Sequence, residues 1–157
     1  MSKVKVTLFD AKYRVTTLKL LGINVSDDLR WDAHIDMICS KVNSKIYYLK
    51  QLKRAGLSTD DLLCFYTTVI RPSLEYVCFV WHHGLTRAQS DKLESFQKRA
   101  IRIIFGDSGI LTGAPYFVAL AWSEIQSLHS RRIQVSKDFF TKICHPCLAA
   151  SIICCLT

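Results

Sequence analysis

Proline and glycine are scarce, three and six among 157 residues, so few positions force a helix to break or a strand to turn. Long apolar runs are absent as well. No stretch reaches the ~18 residues of a membrane span, and Met1-Ser2-Lys3-Val4-Lys5 offers no apolar core for a signal peptide. Seven cysteines are an odd number without regular spacing, which argues against a secreted disulfide framework and for a reducing, intracellular setting in cytoplasm or nucleus. No glycine-rich phosphate loop is present, because the glycines at 106, 109 and 113 are not followed by Lys-Ser or Lys-Thr. Serines and histidines show no nucleophile setting, and neither a cofactor nor a small-molecule substrate is called for. Acids are also few, 13 against 21 lysines and arginines.

What remains is an apolar and basic chain. Half of the residues are hydrophobic and 22% are charged, enough for one compact domain that buries about two thirds of its unfolded surface. The net charge of +8 favours contact with polyanions, nucleic acid above all. The competing reading is a solvated basic face with no ligand.

Residues 4–9 alternate weakly, and residues 13–25, with Gly22 inside them, are rich in Val, Thr, Leu and Ile. Two short strands are expected there. Ser26-Asp27-Asp28 turns the chain, and from Trp31 the period becomes helical. Ile35, Ile38, Cys39, Val42, Ile46 and Leu49 form one stripe, Gly56 ends the helix and Ser58 caps the next one. That second helix is expected to stop near Arg71, because Pro72 lacks an amide hydrogen. A further helix through Leu74, Val77, Cys78 and Trp81 reads as buried on most sides, with His82-His83 as a polar cap at its end. Thr86-x2-Gln89 is a capping box for a helix with Leu93, Phe96, Ala100 and Ile104 inside. Residues 106–115 read as a loop. After a short apolar turn or helix at 116–122, Ser123-x2-Gln126 is expected to cap a last helix running to about residue 143. The fold class is mainly α: a bundle of about five helices with a short N-terminal β-hairpin. It divides into residues 1–30, 31–143 and an apolar, cysteine-containing tail at 144–157.

Arg132 falls within the apolar stripe of the last helix, where a guanidinium requires a carboxylate or several carbonyls. Glu75 or Glu94 is the expected partner. Cys144-His145-Pro146-Cys147, with Cys154 and Cys155, has thiolates and an imidazole suited to zinc. The spacing is incomplete, so no metal is assigned. His34-Ile35-Asp36 matches the H-x-D half of the iron triad of AlkB-type dioxygenases. On a helix, however, residues two apart point about 200° apart and cannot chelate one ion.

One long stretch, residues 64–104, organises the rest. Its order Y-x3-I-R-P-x-L-E-Y-x4-W, then L-E-x2-Q-x2-A-x-R-I-I, resembles the segment after the polymerase palm in reverse transcriptases of non-LTR (LINE-type) retrotransposons. Leu21-Gly22-Ile23, Leu29-x-Trp31-x2-His34-Ile35 and Lys41 precede it in the same order, and Leu128-x2-Arg131-Arg132 follows. The likeness covers roughly residues 15–143. It implies a thumb-like region of an RNA-directed DNA polymerase, with the first strands as the end of a palm hairpin and the palm itself as a further partner.

Such a polymerase needs paired aspartates on a strand turn to hold two metal ions. The only adjacent pairs, Asp27-Asp28 and Asp60-Asp61, sit where turn formation and helix capping explain them. The expectation is therefore a non-enzymatic fragment that binds the RNA or DNA backbone without reading sequence. The basic positions on the predicted helices are Lys41, Lys45, Lys50, Lys53 and Arg54, then Lys98, Arg99 and Arg102, then Arg131 and Lys137. Lys41, Lys45, Lys53, Lys98, Arg99, Arg102 and Arg131 are taken as the phosphate-contacting set. Rival readings are a helical protein-interaction module, a degenerate retroelement copy with no selected function and, remotely, an AlkB-type dioxygenase-associated domain.

Overall fold

The computed structural model describes residues 16–106 and 115–144. It is mainly helical, with one short antiparallel hairpin at the N-terminal side. Strands β1 (Thr17–Leu20) and β2 (Ile23–Ser26) pair with Leu20 opposite Ile23 and Thr17 opposite Ser26. The turn between them puts both Leu21 (φ 47°) and Gly22 (φ 83°) in the left-handed region, the geometry whose twist matches a two-residue hairpin. The stretch read as one strand thus folds back on itself. Residues 4–9, read as the other strand, lie outside the described residues.

Helix α1 (Asp32–Arg54) buries all six residues of its predicted stripe, and His34 with them. Its end is a Schellman motif. Gly56 (φ 85°) donates to the Lys53 carbonyl at 3.1 Å and Leu57 to that of Leu52 at 3.3 Å, which satisfies two of the orphan carbonyls.

Helix α2 (Thr59–Phe65) opens on Ser58, whose Oγ accepts from the Asp61 N–H at 3.2 Å. The chain does not stop before Pro72 as the sequence suggests. It widens into a π-turn (Tyr66–Ile70) and continues as α3 (Arg71–Glu75), with the Arg71 N–H reaching the Tyr66 carbonyl. A π-turn shifts bonding from i+4 to i+5, so the missing proline amide breaks no ladder at that step. Side chains occupy the carbonyls around it: the Thr67 and Thr68 hydroxyls donate to the Cys64 carbonyl at 3.0 and 2.7 Å, and the Ser73 hydroxyl to that of Val69 at 3.0 Å.

The break comes instead at Val77, which holds φ 51° and ψ 33°. Helix α4 (Cys78–Trp81) and a 3₁₀ turn (His82–Gly84) follow. Only Leu74, Cys78 and Trp81 of this segment are buried, while Tyr76 and Val80 are exposed. The apolar residues outnumber the faces that α1 and its neighbours cover, so the segment is not buried on most sides.

Helix α5 (Arg87–Phe105) starts with the full Thr86/Gln89 capping box. It lies alongside α1 and runs parallel to it. Gln89 Nε2 donates to Asp32 at 2.6 Å, Lys92 meets Asp36 at 2.7 Å, and Arg99 Nη1 donates to Asn43 Oδ1 at 3.3 Å. Residues 107–114, the core of the predicted loop, lie outside the described residues. Helix α6 (Tyr116–Trp122) and α7 (Leu128–Cys144) complete the bundle. The cap of α7 is Ser127, whose Oγ accepts from the Ser130 N–H at 3.2 Å. Ser123 instead donates back to the Ala119 carbonyl at 2.8 Å, because Glu124 turns left-handed (φ 54°) and closes α6.

Trp81, Tyr66, Leu93 and Ile104 sit at the centre of the core, fully buried with the α1 stripe. The hairpin is tied to it at few points. Ile23 is buried, the Tyr76 hydroxyl donates to the Leu21 carbonyl at 3.0 Å, and the Asn24 N–H donates to His34 Nδ1 at 3.3 Å.

Candidate nucleic-acid interface

Three of the seven predicted phosphate contacts are engaged inside the fold. Lys45 is half-buried, and its Nζ donates to the Val69 carbonyl at 3.0 Å and to Ser73 Oγ. It locks α1 to the π-turn. Lys53 Nζ reaches the Ile104 carbonyl at 3.1 Å, bridging the C-terminal ends of α1 and α5. Arg131 faces Glu75 at 3.6 Å.

The other four, Lys41, Lys98, Arg99 and Arg102, are exposed, but they do not share one face. Lys41 is two residues before Asn43, the residue that touches Arg99. On a helix that separation is about 200°, so Lys41 points away from α5. The single groove-facing set expected from the sequence is thus divided. The cations that do come together are Lys98, Arg99 and Arg102 on the outer side of α5, with Lys50 and Arg54 on the α1 stripe that starts at Asn43. Asn43, Tyr47, Lys50 and Arg54 recur at i, i+4, i+7 and i+11, which places them in one row. All four are exposed. Since α1 and α5 run parallel, both helices bring these cations to the same end, where they also face the negative ends of the helix dipoles.

At the opposite end, the two acids at the start of α1 are each matched by a cation. Asp32 meets Arg30 at 3.2 Å and Asp36 meets Lys92. Lys50, Arg54, Lys98 and Arg102 have no carboxylate within ion-pair distance among the described residues. Lys98 lies over the Tyr116 ring at 5.3 Å, a cation–π contact that still leaves it exposed.

A second polar cluster, formed by α3, α5 and α7, is buried. Arg132 has no exposed surface, as its place in the stripe suggests. The pairing differs from the expected one. Arg132 Nη2 donates to Ser90 Oγ at 2.7 Å, its Nε and Nη1 have no hydrogen-bond partner among the described residues, and Glu75 is taken by Arg131. Glu94 accepts from the Tyr116 hydroxyl at 2.7 Å. Both carboxylates act on Arg132 through space rather than by contact. Burial pushes the Arg132 guanidinium down from its usual value, with Glu94 the first of the groups that oppose this. Burial likewise pushes the Glu75 carboxyl up, against Arg131 and Arg71.

His34 and Asp36 diverge as the helical spacing requires: the imidazole is buried under the hairpin and the carboxylate is exposed beside Lys92. His82 packs near His83 and His129, with ring centroids 5.1 and 5.8 Å away. Among the described residues, no group of three or more His, Cys, Asp or Glu is placed to hold a metal ion. The cysteines after 144 that suggested zinc lie outside the described residues, as does the rest of the tail. No helix among the described residues is long and apolar enough to cross a membrane. No protein family, curated protein or solved structure matches the chain.

Proposed function

We propose that the chain is a non-catalytic, thumb-like nucleic-acid-binding unit, similar to the post-palm region of a LINE-type reverse transcriptase. The observation that carries this reading is the contact between Arg99 and Asn43. It sets the cations of α5 beside Lys50 and Arg54, on two parallel helices, with no carboxylate within ion-pair distance of them among the described residues. A basic edge on rigid helices suits a phosphodiester backbone, whose charges repeat at a short interval and are indifferent to base sequence. RNA and DNA backbones are both ligands of this kind.

Salt titration tests the reading. Five phosphate contacts on a duplex release counterions with a slope of about −4.5 in log K against log salt. Replacing Lys50, Arg54, Lys98, Arg99 and Arg102 with glutamine flattens that slope. Wild-type binding that ignores salt, or that survives the fivefold replacement, refutes it.

A partner-binding reading has its own observation. The hairpin exposes Leu18, Leu20 and Leu21, the turn after it exposes Leu29, and its sheet has two strands among the described residues. Unpaired strand edges beside exposed leucines invite a further strand or apolar surface. The resemblance supplies a candidate in the polymerase palm. Binding of that kind resists salt, which separates it from phosphate contact.

A further inference from the structure

The basic edge contains one residue that phosphate binding does not explain. Tyr47 lies in the row Asn43, Tyr47, Lys50, Arg54, one turn after the residue that Arg99 contacts. It is 59% exposed, and so is its neighbour Tyr48. The two rings meet at 68° with centroids 6.0 Å apart. An edge-to-face contact of this sort restrains both rings while using no more than one face of either.

We infer that Tyr47, braced by Tyr48, is a stacking platform for a base of single-stranded nucleic acid lying along the edge formed by α1 and α5. This deepens the nucleic-acid reading above and rests on it. Single-strand sites combine cations that follow the backbone with exposed aromatic rings on which unpaired bases stack. Both are present here on one helix row. In a duplex the bases already stack on each other, so the ring has nothing to receive. A tyrosine that merely decorates a solvated helix has no preference between the two.

The experiment measures binding of the full chain to three fluorescent probes at one salt concentration: oligothymidylate and oligouridylate about 20 nucleotides long, above the usual site size, and a DNA duplex of equal length. Tyr47→Ala is expected to weaken single-strand binding about tenfold or more, the loss of one base stack, and to leave duplex binding and the salt slope unchanged. Tyr47→Phe keeps the ring and is expected to keep the affinity. A Tyr47→Ala effect on either single strand supports the inference and identifies which backbone the edge accepts. Equal loss on duplex and single strands, or no loss on any probe, overturns it while the phosphate reading stands. Failure of the unaltered chain to bind any probe overturns both. Thermal melting of both variants checks that the exposed position leaves the fold intact.

Discussion

The Tyr66 hydroxyl, wholly inside the protein, donates to Gln97 Oε1 at 2.8 Å, and Gln97 Nε2 donates onward to the Gln126 carbonyl at 2.9 Å. This relay joins the π-turn to α5 and to the segment that leads into α7. In a dry core each member depends on the others, because an unpaired polar atom there has no water to turn to. Tyr66→Phe strands the Gln97 oxygen and is expected to cost about 1–3 kcal/mol in urea unfolding. Gln97→Leu strands both ends of the relay and is expected to cost more. Equal stability of Tyr66→Phe and the unaltered chain would show that the relay contributes nothing.

Arg132 is under-satisfied: among the described residues it has one hydrogen bond, to Ser90, and two of its nitrogens have none. A buried charge in that condition is a burden that an apolar side chain of similar volume removes. Arg132→Met is therefore expected to match or exceed the unaltered chain in stability. Ser90→Ala strands the last nitrogen and is expected to cost about 1–3 kcal/mol. Paired urea titrations decide it, and the reverse order of the two variants would contradict the account.

Much of this architecture could be read from periodicity. Six apolar residues at helical spacing name the inner face of α1, and Ser58, Thr86 and Gly56 mark ends because their side chains, or the lack of one, suit those backbone positions. Pro72 misleads because a π-turn depends on i+5 bonds and on hydroxyls from Thr67, Thr68 and Ser73, none of which shows as a pattern. Ser123 misleads because Ser-x2-Gln resembles a capping box, while the left-handed residue that ends α6 is a glutamate with no special preference for that role. Arg131 and Arg132 are adjacent, so which of them meets Glu75 is a question of azimuth that only packing answers. The phosphate set suffered likewise. Lys41 and Asn43 were already about 200° apart by helical geometry, a signal sufficient to separate Lys41 from Lys50 and Arg54 once α5 is known to lie on the Asn43 side.

Stability is expected to decline in mild acid. Burial brings the His82 imidazole down to about 4 from 6.5, with Arg132 adding to the effect, and it lowers His34 as well, with Lys41 adding. His34 Nδ1 accepts the Asn24 N–H, which a protonated nitrogen cannot do. Between pH 6.5 and about 4 the unfolded chain binds more protons than the folded one, so unfolding becomes easier as pH falls through that window. Glu75 works the other way: its raised carboxyl pKa favours the fold below 4.5 and loses that contribution as pH rises through the folded value. Urea midpoints from about pH 7.5 down to about pH 5 are expected to fall. The slope is expected to be shallower for His82→Gln. A flat profile, or an identical slope in the variant, would rule out the histidines as its source.

Lys45 and Arg102 carry the same charge and are expected to behave as opposites. The Lys45 ammonium is bonded to the Val69 carbonyl and to Ser73 Oγ, where it holds the π-turn against α1. Arg102 projects from α5 into solvent with no carboxylate within ion-pair distance among the described residues. Lys45→Met removes two hydrogen bonds and is expected to lower stability by about 1–3 kcal/mol without changing the salt dependence of nucleic-acid binding. Arg102→Gln is expected to leave the melting temperature unchanged and to reduce the salt slope by about one unit, the signature of one lost phosphate contact. The pair is informative because total charge falls equally in both. If Lys45→Met flattens the slope as much as Arg102→Gln does, binding follows net charge alone, and no particular edge of the bundle is the interface.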